Sequence, residues 1–463
     1  MNRIVMRDPS RLLAPILGSL LAASCSSGGD PSVPAFDYGD APLLLRVGES
    51  VELRATDAVG QGFVVTPPLP SGLLLDPATG AIGGAATVDV PAADYEIRGT
   101  LGGNAVEARI RIAVGAALPA EVEELEAGFA IERFATLTAA PGKFAIAPDG
   151  RVFVAERQSG VVRLLDASGA MQTTPFATLT VTTGSHQGLL GIVLSPSFAS
   201  DGLLFAFATL PAGSGKPERS ALYRFRDQNG LGVEPVVLVD DLPVATINNG
   251  GAMCFDGEGM LLLSVGDAED PSAAQSDASM AGKLLRLDPS NGSVPADNPR
   301  TGDPIYAKGL RNAWAMAREP VAGAVFAADN GPASDDELLL VQPGRNFEWG
   351  AQPNEEFGAN AGVQLRLWPD VIVPTGLAFA DVERFSSWPE SHQNSLFLSF
   401  YEEESVQRFE LSGSLRTDID REIAFLQMVE DGIANKPVDV QMGPEGKLWL
   451  LTFDAIYCVD RIR

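Results

Sequence analysis

The sequence predicts an all-β protein, a small β-sandwich followed by a six-bladed β-propeller. Three observations carry this prediction. Gly and Pro are abundant, 48 and 33 of 463 residues, while long helical periodicity is nearly absent. A short apolar run recurs six times: RVFVAE (151–156), LLFAFA (203–208), MLLLSV (260–265), AVFAAD (324–329), SLFLSF (395–400) and KLWLLT (447–452). Turns such as PDG, SDG, GEG and PEG precede most of these runs, and a further strand and turn follow several of them, as in KLLRLDPSNG and QRFELSG. One such unit cannot bury both faces of its sheet, but six arranged radially can.

The elements follow in order along the chain. Arg3, Arg7 and Arg11 precede an apolar stretch, LLAPILGSLLAA (12–23), which is too short to span a bilayer. Small residues then lead to Cys25 and SSGGDPS. This resembles a bacterial lipoprotein signal, with Ala22 where such signals usually carry Leu. The expectation is a signal peptide over 1–25, a polar tether over 26–36, and an exported chain held to a membrane only by an N-terminal lipid. Residues 37–115 read as alternating strands around LPSGLLLDPATGAIGGAAT (69–87). That motif resembles the immunoglobulin-like, cadherin-like modules of secreted bacterial proteins, which act as spacers or adhesive units. Residues 116–127 read as a linker, and 128–463 as the propeller. Cys254 and Cys458 lie in apolar runs, where two small buried hydrophobes are favoured over a disulfide.

The formal charge is −27. Such acidity repels nucleic acid and anionic lipid heads and excludes both as partners. It serves solubility and can supply cation sites.

In a propeller, the residues just before each innermost strand form a ring at one mouth of the central channel. Here they read Pro141-Gly142, His186-Gln187, Asn248-Asn249, Arg311-Asn312, Pro374-Thr375 and Asn435-Lys436. Turn chemistry explains any one pair. Four pairs offering amide, imidazole or guanidinium groups point to a ligand site. The loops ERQSG (156–160), GDAEDPSAAQSD (266–277), DNGPASDDE (329–337), YEEES (401–405) and FDA (453–455) should reach the same mouth. Their crowded carboxylates either attract a hard cation or are simply solvated.

Six stretches resemble the glucose/sorbosone dehydrogenase family: GLLGIVLSPSFASDG (188–202), LLLSVGD (261–267), AGKLLRLDPSNG (281–292), NPRTGDPIYAKGLRNAWAMA (298–317), DNGPASDDELLLVQPGRNFEWG (329–350) and VQMGPEGKLWLLT (440–452). The resemblance covers about 128 to 463. It implies a six-bladed enzyme that oxidises sugars or other polyols with pyrroloquinoline quinone (PQQ) and Ca²⁺ and passes electrons to an acceptor. It assigns Arg311 and Asn312 to the quinone, and the carbonyls of Gly331 and Pro332 to the cofactor Ca²⁺. Asp336 and Glu337 match the acidic pair beside them, and Asp267 the acid near the substrate. Gln187, Asn249 and Lys436 complete the candidates for cofactor contact.

Several positions depart from the family pattern. Asn248 stands where the family has its general-base His, and Ala252 where an Arg follows. The blade-five loop that offers the quinone a cation reads YEEES, and around ANKPVDV only Lys436 remains of the basic residues for the tricarboxylate. Asn cannot take the substrate proton, a role worth roughly 10²–10⁴-fold in rate. His186, one of two His in the chain, could supply the base from the neighbouring blade. Two other readings stay open. Asn248, Asn312 and Asn435 with nearby carboxylates could form the divalent-metal site of a lactonase-like hydrolase. Alternatively, a non-catalytic, surface-tethered propeller could bind a glycan or protein.

Overall fold

The computed structural model describes residues 35–39, 41–57, 59–353, 355, 357–380, 388–429 and 432–462. The signal segment, Cys25 and most of the tether lie outside the described residues. The chain divides into two compact units, 1–114 and 115–463.

The first unit is built from two sheets. One orders its strands Leu43–Arg46, Asn104–Gly115, Val90–Leu101, Gly60–Thr66; the other Ser50–Leu53, Ile82–Ala85, Leu73–Leu75. Alternation along Val90–Leu101 sends Tyr95 and Ile97 into a core with Phe63, Ile82 and Ile112. Phe36, at the edge of the expected tether, stacks on Phe63 with ring centroids 4.9 Å apart. In DPATG, Asp76 Oδ1 accepts the amide of Ala78 at 2.7 Å, which closes the turn before Ile82–Ala85.

The second unit contains six antiparallel sheets of four strands or more. Their innermost strands are Pro141–Ile146, Leu189–Leu194, Gly250–Phe255, Ala313–Arg318, Pro374–Phe379 and Pro437–Met442. Each packs against the next, and the last packs against the first, so the ring is closed. The six recurrent apolar runs are the second strands, Val152–Glu156, Leu203–Leu210, Leu261–Val265, Val325–Asp329, Ser395–Phe400 and Leu448–Thr452. Both of their faces are buried because neighbouring sheets stack on them, which is why these runs are continuously apolar rather than alternating.

All six inner strands carry a register irregularity in their first residues. Such bulges bend a strand and raise its twist, here where the strands crowd the axis. The crowding also fixes residue type. A Cβ on Gly191 would lie 2.1 Å from the carbonyl of Gly251 in the next blade, and one on Gly376 2.2 Å from the amide of Val440.

The sixth sheet is completed from the other end of the unit. Phe129–Thr136 is its outermost strand and pairs antiparallel with Ala455–Arg461. Part of the expected linker is structured as well, since Val122–Glu124 adds a fifth strand to the fifth sheet. Just beyond it, Glu126 accepts Arg408 Nε and Nη2 at 2.8 and 2.7 Å, and His392 Nε2 lies 3.1 Å away. Despite burial, these partners lower the Glu126 carboxyl to about 2.

Within the channel, Lys143 Nζ and Asp439 Oδ1 form a buried ion pair at 3.2 Å. Burial draws each toward its neutral form, and the partner's charge opposes this. Cys254 and Cys458 are both free and buried, and burial pushes their thiols up.

Candidate functional site

The mouth at the start of the inner strands holds a cavity of about 410 Å³. Its wall takes residues from several blades: Arg157, His186, Asn312, Asn330, Thr375, Tyr401, Glu402, and the apolar surfaces of Trp314, Val373, Ile433 and Phe453. Arg157, Asn330, Tyr401, Glu402 and Phe453 come from the loops after the second strands, and His186, Asn312 and Thr375 from the ring. Trp314 also lines a second cavity, of about 430 Å³, which Lys143 and Asp439 face.

Asn248 and Asp267 lie behind this wall as one network. Asn248 adopts φ +58°, a left-handed conformation that Asn tolerates. Its Nδ2 donates to Asp267 Oδ1 at 3.0 Å, which also accepts the amide of Glu269 at 3.0 Å. Asp267 Oδ2 accepts Trp349 Nε1 at 2.8 Å. Both carboxylate oxygens are therefore engaged, and both residues are buried. Asn249 ties two loops together, donating to the carbonyls of His186 at 2.8 Å and Ala245 at 2.9 Å. Gln187 donates to Glu218 at 2.9 Å and to the Ala245 carbonyl at 3.1 Å. The polar residues of ring pairs two and three thus hold the His186 loop in place.

Arg311 and Asn312 are set by Asp329, whose carboxylate accepts their backbone amides at 2.9 and 2.6 Å. Burial raises Asp329 to about 6 against these bonds and the Arg311 charge. Asn312 Oδ1 accepts the amide of Gly250 at 3.1 Å, linking blades three and four. The Arg311 guanidinium donates to the carbonyls of Asn330 and Gly331 at 2.8 and 2.7 Å and lies 5.8 Å from the Trp349 ring centroid. Beside Asn312, the buried Asn330 Oδ1 has no hydrogen-bond partner among the described residues.

The residues that the resemblance assigns to Ca²⁺ share one loop, but their oxygens have other duties. The Gly331 carbonyl takes the Arg311 guanidinium. Asp336 accepts three backbone amides, from Gly331 at 2.7 Å and from Ile372 and Val373 at 2.8 Å. Pro332 is exposed beside them. Burial and the nearby Asp329 raise Glu337 to about 7, although Gln364 donates to it. Among the described residues, no group of three or more His, Cys, Asp or Glu is placed to hold a metal ion.

His186 is exposed at the cavity rim. Partial burial holds its imidazole below the ordinary range, with Arg157 and Arg311 acting the same way and Glu269 opposing. Lys436 is engaged with its neighbours. It donates to Glu402 at 3.2 Å, lies 3.6 Å from Glu404, and sits 4.4 Å from the Tyr401 ring centroid.

Ring position anticipated His186 and Asn312 as wall residues. Sequence reasoning did not single out Arg157, Asn330 or Tyr401, though each stood in a loop expected at this mouth. Trp349, which clamps Asp267 from 82 residues away, had no local signal.

A family-wide sequence pattern described as Glucose / Sorbosone dehydrogenase matches residues 138–456. The chain is 26% identical over 339 residues to the aldose sugar dehydrogenase YliI of Escherichia coli, covering 68% of this chain and 87% of that one. It is 27% identical over 232 residues to the quinoprotein glucose dehydrogenase B of Acinetobacter calcoaceticus, covering 44% and 48%. Among solved structures, the PQQ-bound form of an aldose sugar dehydrogenase from Streptomyces coelicolor superposes with a TM-score of 0.61 at 26% identity, covering 74% of this chain and 99% of that one. The closed ring of sheets, the cavity at its mouth and the matched length agree: the chain belongs to the glucose/sorbosone dehydrogenase family.

Proposed function

We propose that the channel mouth is an oxidation site for an aldose or related polyol, served by a bound PQQ, with His186 as the base. The observation that carries this reading is the position of His186, which lines the same cavity as Asn312, Asn330 and Tyr401.

The cavity chemistry fits the quinone. The Tyr401, Trp314 and Phe453 surfaces suit a flat ring system, and Asn330 Oδ1, a buried acceptor without a donor among the described residues, suits a ring N–H or a substrate hydroxyl. Asn312, Asn330, Thr375 and Tyr401 are the residues that would hold it. When bound, the quinone would supply a two-electron acceptor, to be reoxidised by an external electron acceptor. Calcium does not fit the donors as arranged, because Gly331 and Asp336 are engaged with Arg311 and with the loop backbone.

The chain's own part is binding, orientation and proton removal. An imidazole held below its ordinary range is neutral near pH 7 and can accept a hydroxyl proton. Arg311 and Asp329 keep Asn312 fixed at the wall, and the Asn248–Asp267–Trp349 network supports it from behind. Asn248 takes no proton in this reading; its amide orients Asp267. On the strength of residues 12–25, we place the protein outside the cytoplasm, anchored by a lipid on Cys25.

Dye-linked oxidation of a panel of aldoses by PQQ-loaded protein tests the proposal. His186→Ala should lower kcat by roughly 10²–10⁴-fold with little change in KM. Full activity in that variant would remove His186 as the base. Failure of the wild type to bind PQQ would leave the mouth as a recognition site without oxidation.

A further inference from the structure

We infer that Arg157 is the anion-receiving residue of this cavity and takes a carboxylate of the ligand. The inference rests on the cavity being a ligand site, as proposed above. The cations around the mouth differ in what already holds them. Lys436 is paired with Glu402 and Glu404, and Arg311 spans two backbone carbonyls. Lys143 is paired with Asp439 in the channel. Arg157 lines the cavity, and among the described residues its guanidinium donates to the Ser185 carbonyl and pairs with no carboxylate. The one acid on the same wall, Glu402, has its own cation.

A partly buried guanidinium keeps its charge at any accessible pH, and the Ser185 carbonyl alone replaces only part of the hydration it loses. Burial pulls Arg157 below its ordinary range, and only the Tyr401 hydroxyl acts against this. A planar carboxylate from a ligand would restore the missing partner with two parallel hydrogen bonds. The basic residues absent around ANKPVDV in the last blade would then be answered from the first blade. Two ligands carry such a group, the quinone cofactor and a sugar acid.

A second consequence can be measured at His186. Burial, then Arg157 and Arg311, depress this imidazole, and Glu269 raises it. A carboxylate bound to Arg157 would cancel part of that depression, so the His186 pKa should rise when an anion binds.

The test is calorimetric titration of the purified protein with PQQ, with D-glucuronate, and with D-glucose as the neutral control. The experiment also follows imidazole NMR titrations, in which His186 is told from His392 by its loss in His186→Ala. The expected result is that at least one anion saturates the wild type, and that Arg157→Ala weakens it by about tenfold or more. Arg157→Lys should retain part of the affinity, glucose binding should weaken far less than anion binding in both variants, and bound anion should raise the His186 pKa. If PQQ responds, the carboxylate is the cofactor's; if glucuronate responds, it is the substrate's. Glucuronate binding through Arg157 without any PQQ binding would sink the quinone reading and leave this inference standing. PQQ binding unaltered by both Arg157 variants would do the reverse. The absence of any anion binding, or an unmoved His186 on saturation, would overturn the inference even if Arg157→Ala failed to fold.

Discussion

His186 concentrates the chemistry of the mouth in one side chain, and its surroundings set the pH at which it can work. Partial burial and two guanidinium groups depress its pKa. A base must be unprotonated, so kcat/KM should be level through neutral pH and fall only as pH drops through a value below the ordinary imidazole 6.5. In Arg157→Ala the falling limb should move to higher pH, because one depressing charge is gone. A pH–rate profile of both proteins checks this, and a limb that stays in place would mean that Arg157 does not act on the base. At this scale the sequence was legible by position but not by pairing. Ring spacing pointed to His186 and Asn312. It could not show that Arg311 is tied to the Gly331 carbonyl, or that Lys436 is neutralised by the acids of its neighbouring loop, because those partners lie 20 and 32–34 residues away.

The inner strands show what the repeat demands of an element. Each begins with a bulge, and three place Gly against the backbone of the next blade, Gly142, Gly191 and Gly376. Gly191→Ala should therefore cost about 1–3 kcal/mol or more, since the added methyl meets a carbonyl rather than a flexible side chain. Chemical denaturation would show it as a lowered midpoint with an unchanged slope. The same change at Gly213, where nothing lies within 4 Å, is the control. The second strands were legible to within one or two residues because burial on both faces makes them uniformly apolar. The boundaries of the inner strands were less so. Pro141-Gly142 and Pro374-Thr375 were expected before their strands and form their first residues instead. Nor did the apolar pattern reveal that 122–124 joins the fifth sheet, since three residues of VEE at a sheet edge carry no periodicity.

At the scale of the molecule, the two units each have a core of their own. A fragment spanning 115–463 should fold alone with a cooperative transition, which should match one of two transitions in calorimetry of the whole chain. A fragment that remains unfolded would make the first unit part of the propeller's folding. The number of repeats was readable from six apolar runs, but the way the ring closes was not. The partner of the final strand, Ala455–Arg461, is Phe129–Thr136, and nothing in either sequence names the other.

That closure has a consequence for the order in which the protein is made. The strand Phe129–Thr136 leaves the ribosome more than 300 residues before its neighbour exists. At ordinary synthesis rates of about 5–20 residues per second, it must wait roughly 15 to 65 seconds with an open edge. During that time blade one can form, and each later blade can pack on the one before it, but the sixth sheet stays a strand short. Whatever accompanies the nascent chain has to keep residues 129–136 unclaimed until the final strand arrives to meet them.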